Sequence, residues 1–290
     1  MGSLKTLALA GAMALGASAI ASAADFLPAP QPLPEPPPLK GTIDAGWYLR
    51  GDVGVGYQTV DKYEQADVTQ YGGQFFGKTD ESAFFAGIGA GYRFNNWFRV
   101  DVTGEYRGAN SIGVNDKIYN PYVAGNQTNT YKGNLSSMVA LFNAYVDLGT
   151  WNCLTPYLGA GIGVAQNRIT GLTDQGIVFA NEPFGPVVPT LGSAGSGTKT
   201  GLAWALMAGF GYEVNKNLTL EFGYRYLNLG DAQSGPIRNA FASESYAPLK
   251  AKDIESHDFR IGMRWNFGDP NCCGPREVAY EPPPPVVRKY

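Results

Sequence analysis

Three sets of residues in this 290-residue chain have the types to do chemistry. Ser256-His257-Asp258 holds the side chains of a nucleophile, a base and an orienting acid. Consecutive residues on an extended strand point to opposite faces, so these three cannot form a relay without partners elsewhere. His257 is the one histidine, which removes multi-histidine metal sites. Gly87-Ile88-Gly89-Ala90-Gly91 has the glycine content of a phosphate cradle. That motif must turn from a strand into a helix, whereas here alternation continues through Tyr92 and Phe94. We therefore expect no catalytic residue, no metal site and no cofactor, and read the chain as a non-enzyme. The third set is the cysteines Cys153, Cys272 and Cys273. In an oxidising compartment Cys153 is expected to bridge to Cys272 or Cys273, with free thiols or an intermolecular link as the alternatives.

What positions these residues is a period-two pattern. Eight segments alternate apolar and polar side chains: residues 47–57, 82–94, 97–107, 135–148, 154–168, 201–214, 218–229 and 254–267. Three of their connections are tight turns at 95–96, 149–152 and 215–217. The other four, at about 58–81, 108–134, 170–200 and 230–253, are long, polar loops, and short and long links alternate strictly. A transmembrane β-barrel has this asymmetry, with short periplasmic turns and long extracellular loops.

The faces decide which side meets lipid. Phe98, Val100, Val102 and Tyr106 share one side of the third segment, and Phe259, Ile261, Met263, Trp265 and Phe267 one side of the eighth. Such a face is too large and aromatic for the inside of eight strands, so it points outward. The charges then fall inside: Arg50, Arg93, Arg99, Arg107, Arg225, Arg260 and Arg264 opposite Asp52, Asp101, Glu105, Asp147, Glu213, Glu221 and Asp258. A balanced arginine–carboxylate network predicts a plugged lumen, since buried unpaired ions are costly. Gly87, Gly89, Gly91, Gly159, Gly161 and Gly163 are expected to face inward and leave room for the arginines. Aromatic girdles are expected at both interfaces, with Trp47, Trp97, Trp151, Trp265 and Phe267 below and Tyr57, Phe84, Tyr106, Tyr131 and Tyr226 above.

Composition agrees. Charged residues are 16%, glycine numbers 38, and tyrosine and phenylalanine 17 and 15. A net charge of −3 leaves no footprint for nucleic acid. Residues 1–23 read as a secretory signal peptide, with Lys5, an apolar run to Ile20 and Ala21-Ser22-Ala23 before the cut. Residues 24–46 form a proline-rich periplasmic linker, 47–267 the barrel and 268–290 a periplasmic tail with Cys272, Cys273 and four consecutive prolines.

The signal peptide, eight amphipathic strands, four long loops and an aromatic last strand resemble the small outer-membrane barrels of OmpA/OmpX and opacity-protein type. Trp47–Tyr57 (WYLRGDVGVGY) behind a proline-rich linker looks like the alphaproteobacterial immunogenic outer-membrane proteins. The resemblance implies an eight-stranded antiparallel up-and-down barrel in the outer membrane, bedded in lipid and lipopolysaccharide. It also implies that Trp265 and Phe267 form the signal read by the barrel-assembly machinery, although here a tail follows them. Some members of that branch are joined to peptidoglycan through an Ala or Gly followed by Asp after the signal peptide, and Ala24-Asp25 matches. The function expected is a structural barrel supporting envelope integrity, linked to the wall; a narrow porin and a surface adhesin are the alternatives.

Overall fold

The computed structural model describes residues 45–120, 125–180, 185–241 and 243–267. The signal peptide, almost all of the linker with Ala24 and Asp25, and the tail with Cys272 and Cys273 lie outside the described residues. Among the described residues twelve strands occur: β1 (Gly46–Glu64), β2 (Gln74–Thr79), β3 (Glu81–Arg93), β4 (Phe98–Asn120), β5 (Gly125–Asp147), β6 (Leu154–Phe179), β7 (Val187–Ala194), β8 (Gly197–Glu213), β9 (Leu218–Gln233), β10 (Ile237–Asn239), β11 (Ser245–Tyr246) and β12 (Lys250–Asn266). A short helix, α1 (Ala66–Gln70), follows β1.

Eight of these strands close on themselves. The antiparallel pairs run β1–β3–β4–β5–β6–β8–β9–β12 and back to β1, where Leu49 pairs with Trp265 and Val60 with Ile254. Closure leaves this ring without an edge. The other strands are additions at one end: β2 lies on β4, β7 on the far part of β6, and β10 and β11 extend from β7. At the opposite end the turns are short and made by asparagine. Asn95 Oδ1 accepts from the amides of Trp97 and Phe98, and Asn215 Oδ1 accepts in the same way from Asn217 and Leu218. Phe267 continues the ring's seam by donating its amide to Trp47 O at 3.0 Å.

The near ends of the strands match the expected ones; the far ends overshoot. β4 and β5 each run 23 residues and β6 runs 26, well into segments expected to be loops. Each overshoot begins at an irregularity. The β4–β5 register shifts between Arg107 and Asn110, the β5–β6 register between Lys132 and Asn134, and the β9–β12 register between Ala251 and Ile254. Gly171, Gly230 and Asp253 take left-handed φ values of 61°, 68° and 49° at these levels. Each extra residue reverses the odd–even parity of the inward face: Arg107 gives way to Asn110 and Ile112, Ile169 to Leu172, Leu229 to Ala232.

Two tiers result. In the lower tier the outward residues are apolar and open, among them Phe84 and Ile88 at 76% exposure and Phe259 at 70%. In the upper tier the interior is the apolar side, formed by Val60, Ile112, Val114, Leu135, Leu172, Ile237, Leu249 and Ile254. Tyr131 corrects the girdle expectation. It is 2% exposed and faces this interior, because β5 keeps one parity throughout and odd residues point inward.

Candidate functional site

The lower-tier lumen is the densest assembly of functional side chains, and period-two geometry puts it there. On β1 Arg50 and Asp52 point inward while Leu49, Gly51 and Val53 point out; β4, β9 and β12 do the same with Arg99/Asp101, Glu221/Arg225 and Asp258/Arg260/Arg264. Arg50 is the hub. It grips Asp52 through Nε and Nη2, both at 2.8 Å, and donates Nη1 to Asp101 and to the Tyr145 hydroxyl at 2.9 Å. Its Nη2 also lies 3.0 Å from Glu221. Glu221 collects two more cations, Arg99 and Arg264, each at 3.1 Å. Arg99 reaches Asp147 at 3.2 Å and stands over the rings of Tyr145 and Tyr157, at 4.2 and 5.0 Å.

A second cluster lies above the first. Arg107 holds both oxygens of Asp258, at 2.7 and 3.0 Å, and also reaches Glu105 and Ser256. Arg225 donates to Asp258 and Glu105 from the other side. The Phe85 ring lies under both guanidinium groups, at 4.8 and 5.0 Å. Bidentate forks and cation–π contacts suit arginine and would be lost with lysine.

The expected network is therefore assembled in the main, with three departures. Arg93 and Arg260 are buried but have no carboxylate within ion-pair distance among the described residues. Glu213 sits half-buried at the short-turn end of β8 rather than within either cluster. The inward glycines make room for tyrosine more than arginine: a Cβ at Gly91 would strike Tyr48, and one at Gly159 would strike Tyr145. Of the six expected glycines Gly89 alone lies against an arginine, Arg50, while two glycines outside that set, Gly56 and Gly223, lie against Arg107 and Arg260. Tyr48, Asn143, Tyr145 and Tyr157 were not expected in the site, although the parity they share with Arg50, Asp147 and Thr155 already turned them inward.

The remaining candidates separate. Ser256 is fully buried and donates to Asp258 at 2.6 Å, while His257 faces outward and meets the Tyr224 hydroxyl at 2.6 Å through Nδ1. Serine and histidine are thus on opposite sides of the wall. Cys153 stands in the β5–β6 turn with φ 66°, and its amide neighbour Asn152 has φ 49°. Trp265 and Phe267 are exposed at the end of β12.

The upper tier holds a site with no counterpart in the sequence reading. A cavity of about 580 Å³ opens under α1, lined by Gln65, Tyr131, Asn129, Asp174, Glu244 and Tyr246 among others. Asp116 is completely buried behind it and accepts from the Asn129 amide and side chain and from the Tyr131 hydroxyl at 2.8 Å. Burial, opposed by those hydrogen bonds, pushes the Asp116 carboxyl up. Burial and the nearby Asp116 charge raise Asp174 to about 7.

Residues 7–267 match the family described as outer membrane protein beta-barrel domain. A protein of Brucella abortus that carries no functional name is 34% identical over 280 residues, covering 85% of this chain and 93% of its own length. Outer membrane protein PagN of Salmonella typhimurium is 25% identical, covering 64% of this chain and 74% of its own. A candidate adhesin of Rickettsia bellii is 24% identical, with 76% and 87% covered. Among solved structures, Neisserial surface protein A is 19% identical at a TM-score of 0.42, covering 77% of this chain and 99% of that one. OprG of Pseudomonas aeruginosa is 13% identical at a TM-score of 0.44, with 78% and 98% covered.

Proposed function

Because the chain belongs to the outer membrane protein beta-barrel family, we propose that it is a structural protein supporting the integrity of the outer membrane in which it resides, and that its mature N-terminus is linked to peptidoglycan. The filled lumen carries this reading. Two arginine clusters occupy the lower tier and an apolar core stands above them, which leaves little for a solute path. A channel gains nothing from ion pairs that must be broken at each passage, whereas a static wall does.

The tether rests on Ala24-Asp25 and the proline-rich spacer, which precede β1 in the chain, and on β1 starting at the short-turn end of the ring. Lipid and lipopolysaccharide are the partners of the exposed apolar band, and the assembly machinery of Trp265 and Phe267. In this reading Cys153, in the β5–β6 turn, bridges Cys272 or Cys273 and fastens the tail to the barrel; non-reducing peptide mapping without such a bridge removes that link. The deciding test is a deletion strain, expected to shed more vesicles and to become sensitive to detergent. If neither changes, the structural role fails. Muramidase digests of sacculi are expected to yield muropeptides on Ala24, and an always-free N-terminus overturns the tether. Large steady conductance in planar bilayers favours the narrow porin instead.

One observation favours a second reading, an adhesin. The outward face of β6 and β7 is apolar toward its far end: Ile177 pairs with Pro189 and Phe179 with Val187, and all but the proline rank with Leu191 and Phe241 among the exposed large apolar residues. Such a patch in water is suited to contact. Loss of host-surface binding on removal of the β6–β7 hairpin, with the barrel intact, supports it.

A further inference from the structure

The lower lumen is richer in hydrogen-bond donors than in acceptors, and the surplus has a place. Seven arginines are buried there: Arg50, Arg93, Arg99, Arg107, Arg225, Arg260 and Arg264. The carboxylates buried with them number six: Asp52, Asp101, Asp147, Glu221 and Asp258, plus Glu105 with its side chain 7% exposed. Arg93 lies at the short-turn mouth, but Arg260 is in the middle of the lumen and 5% exposed. Its guanidinium makes one hydrogen bond among the described residues, from Nη2 to the Tyr157 hydroxyl at 3.2 Å, and its Nε has no acceptor. The nearby carboxylates are turned to other arginines, Asp52 to Arg50 and Glu221 to Arg50, Arg99 and Arg264, and none lies within ion-pair distance of Arg260 among the described residues.

Tyr157 completes the picture. Its hydroxyl, on a side chain 1% exposed, accepts from Arg260 and donates to no acceptor among the described residues. It stands where Gly209 and Gly223 withhold a side chain, since a Cβ at either would collide with it. A buried guanidinium without a counter-charge and a phenol with a spare proton are both costly in a closed lumen. One small anion answers both.

We propose that Arg260 and Tyr157 form a binding site for a small monoanion of the halide class inside the lumen, which supplies the negative charge the chain itself lacks there. The site is structural: the ion joins the Arg50–Glu221 cluster and holds the β6 and β12 walls together.

Bromide is the probe. Crystals of the full mature protein in detergent, soaked in bromide, are expected to show an anomalous peak in contact with the Arg260 guanidinium, absent in Arg260→Gln. In urea unfolding at constant ionic strength, replacing gluconate with saturating chloride is expected to stabilise the wild type. A tenfold rise in chloride then raises the folded-to-unfolded ratio up to about tenfold. Arg260→Gln should lose that response. Should Arg260→Gln not fold, Tyr157→Phe keeps the ring and removes the proton, and it should show reduced bromide occupancy and a weaker chloride response. No bromide at Arg260 in the wild type, bromide only at other places, or a chloride response unchanged in either variant overturns the proposal.

Discussion

The same eight strands build two tiers that obey opposite rules. In the lower tier apolar side chains face out and the wall encloses the two arginine–carboxylate clusters with their tyrosines; in the upper tier the enclosed side is the apolar core. Phe259 and Asp258 are neighbours in the chain, and the first is 70% exposed while the second is fully buried. Higher up, Leu249 and Ile254 are the buried ones. The difference teaches that a strand does not carry its own inside and outside. The solvent at each height decides which set of alternating residues is apolar, and a single inserted residue at the boundary is enough to exchange the sets.

This contrast can be broken by mutation, and the lower tier should break hardest. Glu221→Gln leaves Arg50, Arg99 and Arg264 without their shared carboxylate in a site 2% exposed. Removing one member of a buried ion cluster costs roughly 3–5 kcal/mol, so the folded, heat-modifiable band on gels should be largely lost. Next comes Leu172→Ala in the upper core, where the residue is 1% exposed. Its cost of about 2–5 kcal/mol should loosen the upper tier alone, seen as faster hydrogen exchange there with the lower tier still protected. Equal loss in both tiers would mean that they are one cooperative unit.

The third effect is one of pH. Asp174 is raised to about 7 by burial and by Asp116, so its protonated form favours the folded upper tier. That contribution is full below an unfolded value of about 4 and is lost as pH rises to about 7. Upper-tier exchange, corrected for intrinsic rates, should therefore be faster at pH 8 than at pH 5, and Asp174→Asn should flatten the difference. The smallest effect is expected on the surface. Asp231 accepts from Lys199 at 2.7 Å and Lys252 at 3.0 Å, and these two lysines lower its carboxyl to about 2 against a burial penalty. All three side chains are partly open to water, so Asp231→Asn should move stability by less than about 1 kcal/mol and less still at high salt.

The lower tier was legible in the sequence and the upper tier was not, for one reason. Strict alternation marks Arg99, Asp101, Glu105 and Arg107 as one face, and the structure keeps them so. At Arg107, Ile169, Leu229 and Ile254 the count slips by a residue, and a period-two reading ends the strand there. Gly171 and Gly230 look like loop glycines, yet they are bulges within continuing sheet. Asp116 and Asp174 fell in those supposed loops, so nothing in the pattern could pair them with Tyr131. Within the legible tier, the balance of seven and seven was a matter of counting; which arginine lacks a carboxylate depends on heights around the ring that alternation does not encode.

The length of β4 and β5 has a consequence for what reaches the cell's surroundings. Twenty-three residues at about 3.3 Å each make a strand of roughly 75 Å. A bilayer takes about 9–11 residues of it, which leaves on the order of 40 Å of paired strand beyond the lipid. This is a mast rather than a tether: hydrogen-bonded sheet cannot lie down among the surrounding sugars as a loose chain would. Its paired far ends, Asn120 and Gly125, stand at a set height, and adding residue pairs to the hairpin would raise that height in fixed steps without disturbing the base.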